Sequence, residues 1–168
     1  MKIFLARYRA ELWQVFAIAL ATLLSFLFAS WLKLAEPFWS VITAAIVARI
    51  TARGAVWIAL YRLLGTLAGA AFGLAVAFAR SSGTPEPILL VVLVVPLALL
   101  GVMRRELRAA LIAGIIVFSA AAHLPSPVAP AIARVMEVGL GAVIAALVSI
   151  FLGMFFRPPE QAGSKPKR

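Results

Sequence analysis

Long apolar segments separated by short basic ones are the feature that most constrains the fold of this chain. The apolar segments cover residues 12–34, 38–50, 55–79, 88–103, 107–122 and 128–156. A helix needs about 20 apolar residues to cross the hydrocarbon core of a bilayer. Hydrophobic residues make up 64% of the chain and charged residues only 13%, against about 25% charged residues in a soluble domain. These features predict an all-α integral membrane protein with six transmembrane helices.

The distribution of basic residues between the apolar segments predicts the topology. One side has only Lys33 and Arg80. The other side has Lys2, Arg7, Arg9, Arg49, Arg53, Arg104, Arg105, Arg108, Arg157, Lys165, Lys167 and Arg168. Because cytoplasmic loops carry an excess of lysine and arginine, we expect a multi-pass protein with both termini in the cytoplasm.

The composition also excludes several function classes. The chain has no cysteine, one histidine and six acidic residues, all of them glutamate. No metal cluster, catalytic triad or cofactor motif can be drawn from this set. The net charge of +10 does not indicate nucleic-acid binding, since the basic residues lie between apolar segments. The sequence therefore predicts a membrane protein that is not an enzyme, has the lipid bilayer as its environment and has no nucleic acid partner.

A shift of 72 residues aligns the two halves of the chain. The matched residues are Ala59, Arg62, Gly69 and Ala70 with Ala131, Arg134, Gly141 and Ala142. Each half contains three apolar segments, so the halves would insert in opposite orientations, as in many secondary transporters. We therefore predict a transmembrane domain over residues 1–157 with inverted repeats at about 10–80 and 82–156. Residues 158–168 are expected to form a disordered cytoplasmic tail.

Arg62 lies within the third apolar segment, where a guanidinium exposed to hydrocarbon would cost roughly 2.5–3.5 kcal/mol. Gly65, Gly69 and Gly73 recur at every fourth position, and Arg62 precedes Gly69 by seven residues, so all four share one helix face. Glycine faces allow close helix packing, and we assign the glycines to that role. Two interpretations of Arg62 stay open. It recognises an anion, or it holds the helix in place through backbone carbonyls or the cytoplasmic interface.

The last apolar segment has a second charged face. Arg134, Glu137, Gly141 and Ala145 lie on it, and Glu137 is one turn from Arg134. An ionised glutamate inside a membrane tends to take a partner or a proton. Glu137 is therefore either a proton-coupling carboxylate beside an anion-binding arginine or one half of a structural ion pair. Gly141 is assigned to helix packing. The depth of Arg134 stays open because this segment is longer than one span requires.

Two short motifs resemble a known membrane family. One runs from Pro37 to Ala45 and the other from Arg62 to Gly69. They resemble the Trp-x-x-Ile-Thr and Arg-x-x-Gly-Thr-x-x-Gly segments of the fusaric acid resistance-like family, also called the aromatic acid exporter family. The matching residues are Trp39, Ile42, Thr43, Arg62, Gly65, Thr66 and Gly69, and Arg134 with Gly141 resembles the family's last span.

The resemblance implies a six-helix module of the bacterial inner membrane linked to export of aromatic carboxylic acids. The chain also resembles the membrane part of plant aluminium-activated malate channels, which are dimers, so a homodimer is expected. Many relatives carry a large cytoplasmic domain or a second membrane half. An accessory efflux or cytoplasmic subunit is therefore a further candidate partner.

Proton-coupled export of small organic anions, with aromatic carboxylic acids as the substrates, is the leading hypothesis. The candidate substrate-binding residues are Arg62, Arg134, Trp39, Thr43 and Thr66, with Glu137 as the candidate proton acceptor. One alternative is a passive anion channel at a dimer interface, where arginines from two subunits form a basic ring. The other is a non-transporting assembly or regulatory subunit whose glycine faces dock a partner.

Overall fold

The computed structural model describes residues 2–49, 51–124 and 126–155, and these residues form helices and short connections without any strand. The helices are α1 Lys2–Trp31, α2 Pro37–Val47, α3 Ala52–Ala79, α4 Glu86–Met103, α5 Ala109–Ala120 and α6 Val128–Phe155. Single 3₁₀ turns at Arg80–Ser82 and Arg105–Leu107 lead into α4 and α5. The all-α prediction is confirmed. The predicted tail at 158–168 lies outside the described residues.

The six helices fall into two length classes. Four helical segments are long and apolar enough to cross a membrane, namely Glu11–Trp31, Ala52–Ser82, Glu86–Met103 and Val128–Phe155. The other two, α2 and α5, have 11 and 12 residues. At 1.5 Å per residue they rise only about 16–18 Å, against a hydrocarbon core of about 30 Å. The predicted count of six spans is therefore not confirmed.

The short helices end earlier than the apolar pattern predicted. Helix α2 stops at Val47 because Ala48 has a ψ of 123°, outside the helical region. In the fifth apolar segment, predicted at residues 107–122, Leu107 is the last residue of a 3₁₀ turn. The α-helix begins only at Ala109 and stops at Ala120. Apolar residues continue past these points, so hydropathy alone did not mark where the helices end.

Each short helix packs against one long helix from the opposite half of the chain and one from its own half. Helix α2 lies against α6 and α1, whereas α5 lies against α3 and α4. The long helices α3 and α6 also pack against each other. An inverted repeat that exchanges α3 with α6 and α2 with α5 would require this arrangement. The repeat itself stays a prediction.

Glycines bring the backbones of these helix pairs together. A Cβ atom on Gly69 would overlap the carbonyl of Ala110 in α5, and one on Gly73 would overlap the carbonyl of Gly114. On the other side, a Cβ on Gly141 of α6 would overlap the carbonyl of Ser40 in α2. These contacts let α5 and α2 lie directly on the backbones of α3 and α6, as small residues do between membrane helices.

The end of α2 obtains its hydrogen bonds from neighbouring helices. Gln14 of α1 donates from its side-chain nitrogen to the carbonyl of Ala48 at 2.9 Å. The backbone N–H of Arg49 donates to the Ser149 hydroxyl of α6 at 3.1 Å. Backbone groups at a helix end buried in protein need such partners. A helix too short to reach both membrane surfaces is therefore held by α1 and α6.

Replacing Gly141 by alanine should destabilise the fold, because the added Cβ overlaps the Ser40 carbonyl and forces α2 away from α6. We expect a loss of about 1–3 kcal/mol, the range for overpacked sites, measured by thermal unfolding in detergent. Gly139→Ala on the same helix is the control, since its nearest non-local contact would be the end of Leu63 at 3.9 Å. Equal melting temperatures for the two variants would contradict the close packing.

Candidate functional site

Arg134 and Glu137 form a buried ion pair on α6. Their side chains are only 6% and 1% exposed, and Nη1 of Arg134 lies 3.3 Å from Oε2 of Glu137. The two residues are one helical turn apart and point to the same side, as the sequence predicted. A buried carboxylate or guanidinium without a partner would carry a large desolvation cost. The pair therefore makes it possible to keep both charges inside the helical assembly.

Glu137 also holds the start of α2. Its Oε1 accepts the backbone N–H of Glu36 at 2.8 Å, and its backbone carbonyl accepts the Ser40 hydroxyl at 2.7 Å. The first N–H groups of a helix have no partner within the helix and attract negative charge. Helix α2 has Glu36 at its N-cap position and Pro37 at its start. The carboxylate of Glu137 thus acts as a cap supplied from another helix.

Glu36 joins the site through its side chain as well. Its Oε2 lies 3.5 Å from Nη2 of Arg134 and accepts the indole N–H of Trp39. Sequence analysis did not select Glu36, which lies between two apolar segments and resembles an ordinary loop residue. The only sequence signal was its place immediately before Pro37 and three residues before Trp39.

Trp39 covers the guanidinium of Arg134. The Cζ atom of Arg134 lies 4.1 Å from the centroid of the Trp39 ring, which is within the range of a cation–π interaction. Arginine also stacks favourably on aromatic faces because its guanidinium is planar and weakly hydrated. Trp39 is therefore fixed by two contacts, one to Arg134 and one to Glu36.

Arg62 reaches the same region from α3 but in a different electrostatic environment. It is half-buried, and within the described residues it forms no ion pair. Its Nε is buried and has no hydrogen-bond partner there. Arg134 by contrast has two carboxylates within 3.5 Å. Arg62 is thus a positive charge inside the helical assembly that the described part of the chain leaves uncompensated.

A narrow crevice connects the two arginines. It is lined by Trp39 of α2, Arg62 and Thr66 of α3, Ala109, Ile112, Ala113 and Ile116 of α5, and Arg134 and Val138 of α6. Four of the five predicted substrate-binding residues therefore meet at one place. The cavity volume is about 10 Å³, which is room for roughly one water molecule. An aromatic acid would need the surrounding helices to separate.

Thr43, the fifth predicted substrate-binding residue, is not part of this crevice. It is fully buried on α2, and its hydroxyl has no hydrogen-bond partner among the described residues. Thr66 lies in the crevice wall and is also buried. The described residues contain no group of three or more potential metal ligands.

A family model described as Fusaric acid resistance protein-like matches residues 20–148 of the chain. The matched range begins within α1, ends within α6 and contains every residue of the crevice. No curated protein and no solved structure matches the chain.

Removing the charge of Arg134 should destabilise the protein, because the buried Glu137 would lose its counter-ion. For Arg134→Met we expect a loss of about 3 kcal/mol or more in unfolding free energy, the cost of breaking a buried pair. The double variant Arg134→Met/Glu137→Gln should recover most of this loss, since it leaves no buried charge at position 137. Chemical denaturation in a mixed detergent system measures both. Losses that simply add in the double variant would contradict a coupled pair.

Proposed function

Because this chain belongs to the fusaric acid resistance protein-like family, whose members are membrane proteins with a transporter or efflux-related role, we propose that it exports small organic anions. Aromatic carboxylic acids are the proposed substrate class, and the bacterial inner membrane is the proposed location. The supporting observation is the meeting of Arg62 and Arg134 in one crevice, where, among the described residues, only Arg134 is paired to carboxylates.

Arg62 is the proposed binding residue for the substrate carboxylate. A guanidinium can hold a carboxylate through two parallel hydrogen bonds and keeps its charge at any accessible pH. Charged residues inside membrane helices are costly and usually face a partner or a pathway. An anion in the crevice would supply the negative charge that the described residues do not place beside Arg62.

The rest of the crevice supports an aromatic or apolar body on the substrate. Around the two arginines the wall consists of Trp39, Ile112, Ile116 and Val138, together with small residues. Ligand sites commonly combine a few polar groups that fix orientation with an apolar and aromatic wall. A ring carrying one carboxylate has this same division between a charged end and an apolar end.

The crevice draws its wall from both predicted halves of the chain. Trp39, Arg62 and Thr66 come from the first half, and Ala109 to Ile116, Arg134 and Val138 come from the second. Transporters built from repeats bind substrate at the repeat interface and alternate by moving one unit against the other. We propose that such a movement enlarges the crevice, whose volume in this structure is about 10 Å³.

Glu137 is the proposed proton acceptor of a coupled exporter. The groups that act on its carboxylate are Arg134 on the same helix, the backbone N–H of Glu36 and the nearby carboxylate of Glu36, which lies on the same guanidinium. If the Arg134–Glu137 ion pair separated during transport, Glu137 would need a proton to stay buried without its counter-ion. A passive channel at a dimer interface needs no such group, and an assembly subunit would not move anions at all. The flux experiments below separate these alternatives.

Arg62→Ala should reduce flux of labelled hydroxybenzoate into proteoliposomes at least about tenfold, because charge-assisted hydrogen bonds contribute roughly 1.5–3 kcal/mol. Arg104→Ala is the matched control, since it removes an exposed arginine at the end of α4. Size-exclusion profiles should show that both variants are folded. Transport by Arg62→Ala at the wild-type rate would remove Arg62 from the mechanism. No flux from any of the proteins would favour the assembly subunit.

Glu137→Gln should abolish the dependence of hydroxybenzoate flux on a pH gradient, while the amide oxygen can still accept the Glu36 N–H. The comparison uses the same proteoliposomes with and without an imposed gradient. Glu86→Gln serves as the control because it neutralises an exposed carboxylate on α4 that pairs with Arg80. A gradient effect that persists in Glu137→Gln would contradict the coupling role. Gradient-independent flux in the unmodified protein would favour the channel.

A further inference from the structure

The carboxylate of Glu36 occupies a place beside Arg134 where an anion would bind. It lies 3.5 Å from Nη2 of Arg134 and accepts the indole N–H of Trp39. The guanidinium still has a spare donor, because its Nε is buried and has no hydrogen-bond partner among the described residues. Arg134 is itself only 5% exposed and lies in the crevice wall. Glu36 thus uses only some of the hydrogen-bond donors that Arg134 offers to a carboxylate at this position.

The charge balance around Arg134 prevents a third carboxylate from binding there. One guanidinium faces two carboxylates, those of Glu36 and Glu137. A third carboxylate would meet an excess of negative charge, and like charges at such distances repel strongly in a protein environment. Arg134 becomes available to an outside anion only when one of its two carboxylates leaves.

Glu36 is the carboxylate that can leave. The side chain of Glu137 is 1% exposed and is fixed by the N–H of Glu36, whereas the side chain of Glu36 is 62% exposed. The contact between Glu36 and Arg134 is at the upper limit for a hydrogen bond. Rotation about its own side-chain bonds is enough to remove Glu36, since its backbone stays attached to Glu137.

We propose that Glu36 is a built-in competitor that the substrate carboxylate must displace. The substrate carboxylate, after binding at Arg62, takes over the indole N–H of Trp39 and Nη2 of Arg134, and its second oxygen reaches Nε of Arg134. This inference rests on the proposed function for the chemical class of the ligand. A neutral molecule offers these donors a weaker acceptor than a carboxylate does, so the exchange favours anions. When the substrate departs, Glu36 returns to Nη2 of Arg134 and the indole N–H of Trp39.

The first experiment measures hydroxybenzoate binding by calorimetry on the full chain in lipid nanodiscs. Glu36→Gln removes the competing charge but keeps an oxygen that can accept the Trp39 N–H. We expect its dissociation constant to fall about two- to fivefold, in keeping with the modest strength of a partly exposed ion pair. Glu86→Gln is the matched control, because Glu86 is 65% exposed and pairs with Arg80 at 2.9 Å. Its dissociation constant should stay unchanged.

The second experiment measures access of an anion without any assumption about the substrate. In a background where Trp13, Trp31 and Trp57 are replaced by phenylalanine, Trp39 is the only tryptophan. Iodide, an anionic quencher, and acrylamide, a neutral one, are then compared on its fluorescence. Glu36→Gln should raise quenching by iodide at least about twofold relative to acrylamide, because the anion can approach Arg134. The ratio should not change in Glu86→Gln.

The two readouts separate the competitor role from the proposed function. Tighter hydroxybenzoate binding together with a higher iodide ratio supports both. A higher iodide ratio without hydroxybenzoate binding in either protein supports Glu36 as the competitor and removes aromatic carboxylates as the substrate class. An unchanged iodide ratio, or weaker hydroxybenzoate binding in Glu36→Gln, overturns the displacement.

Discussion

The contact between the Glu137 carboxylate and the backbone N–H of Glu36 is the interaction on which the site depends. Helix α2 is too short to reach both faces of a membrane, so its first N–H groups need a partner from the protein. Glu137 supplies that partner at 2.8 Å and is balanced by Arg134. The same contact brings Trp39 over the guanidinium. One carboxylate therefore fixes a helix and contacts Arg134, which is part of the crevice wall.

The two arginines have different electrostatic environments although both lie in the same crevice. Arg134 is enclosed by Trp39 and two carboxylates. Arg62 has no ion pair within the described residues, and its buried Nε has no hydrogen-bond partner there. In the proposed mechanism the two arginines therefore act in sequence. Arg62 attracts the anion, and Arg134 binds it only after Glu36 has moved. The position of an arginine in a motif does not determine such a role by itself, because nearby carboxylates can neutralise the positive charge of the guanidinium.

Much of this architecture could be predicted from the sequence, because helical periodicity places residues on faces. The spacing of Gly69 and Gly73 indicated a packed face, and the spacing of Arg134 and Glu137 indicated a pair. The lengths of α2 and α5 could not be predicted, since apolar residues continue beyond both helix ends. Glu36 was missed because its partner is 98 residues away and only tertiary packing brings the two together.

The 11- and 12-residue lengths of α2 and α5 also have a consequence for the surrounding lipid. Each rises about half the thickness of the hydrocarbon core, so hydrophobic mismatch is concentrated beside these two helices. Bilayers respond to short elements by thinning, at a modest cost per ångström. We therefore expect indentations of the membrane beside α2 and α5, where the insulating layer that a charged solute has to traverse is at its thinnest.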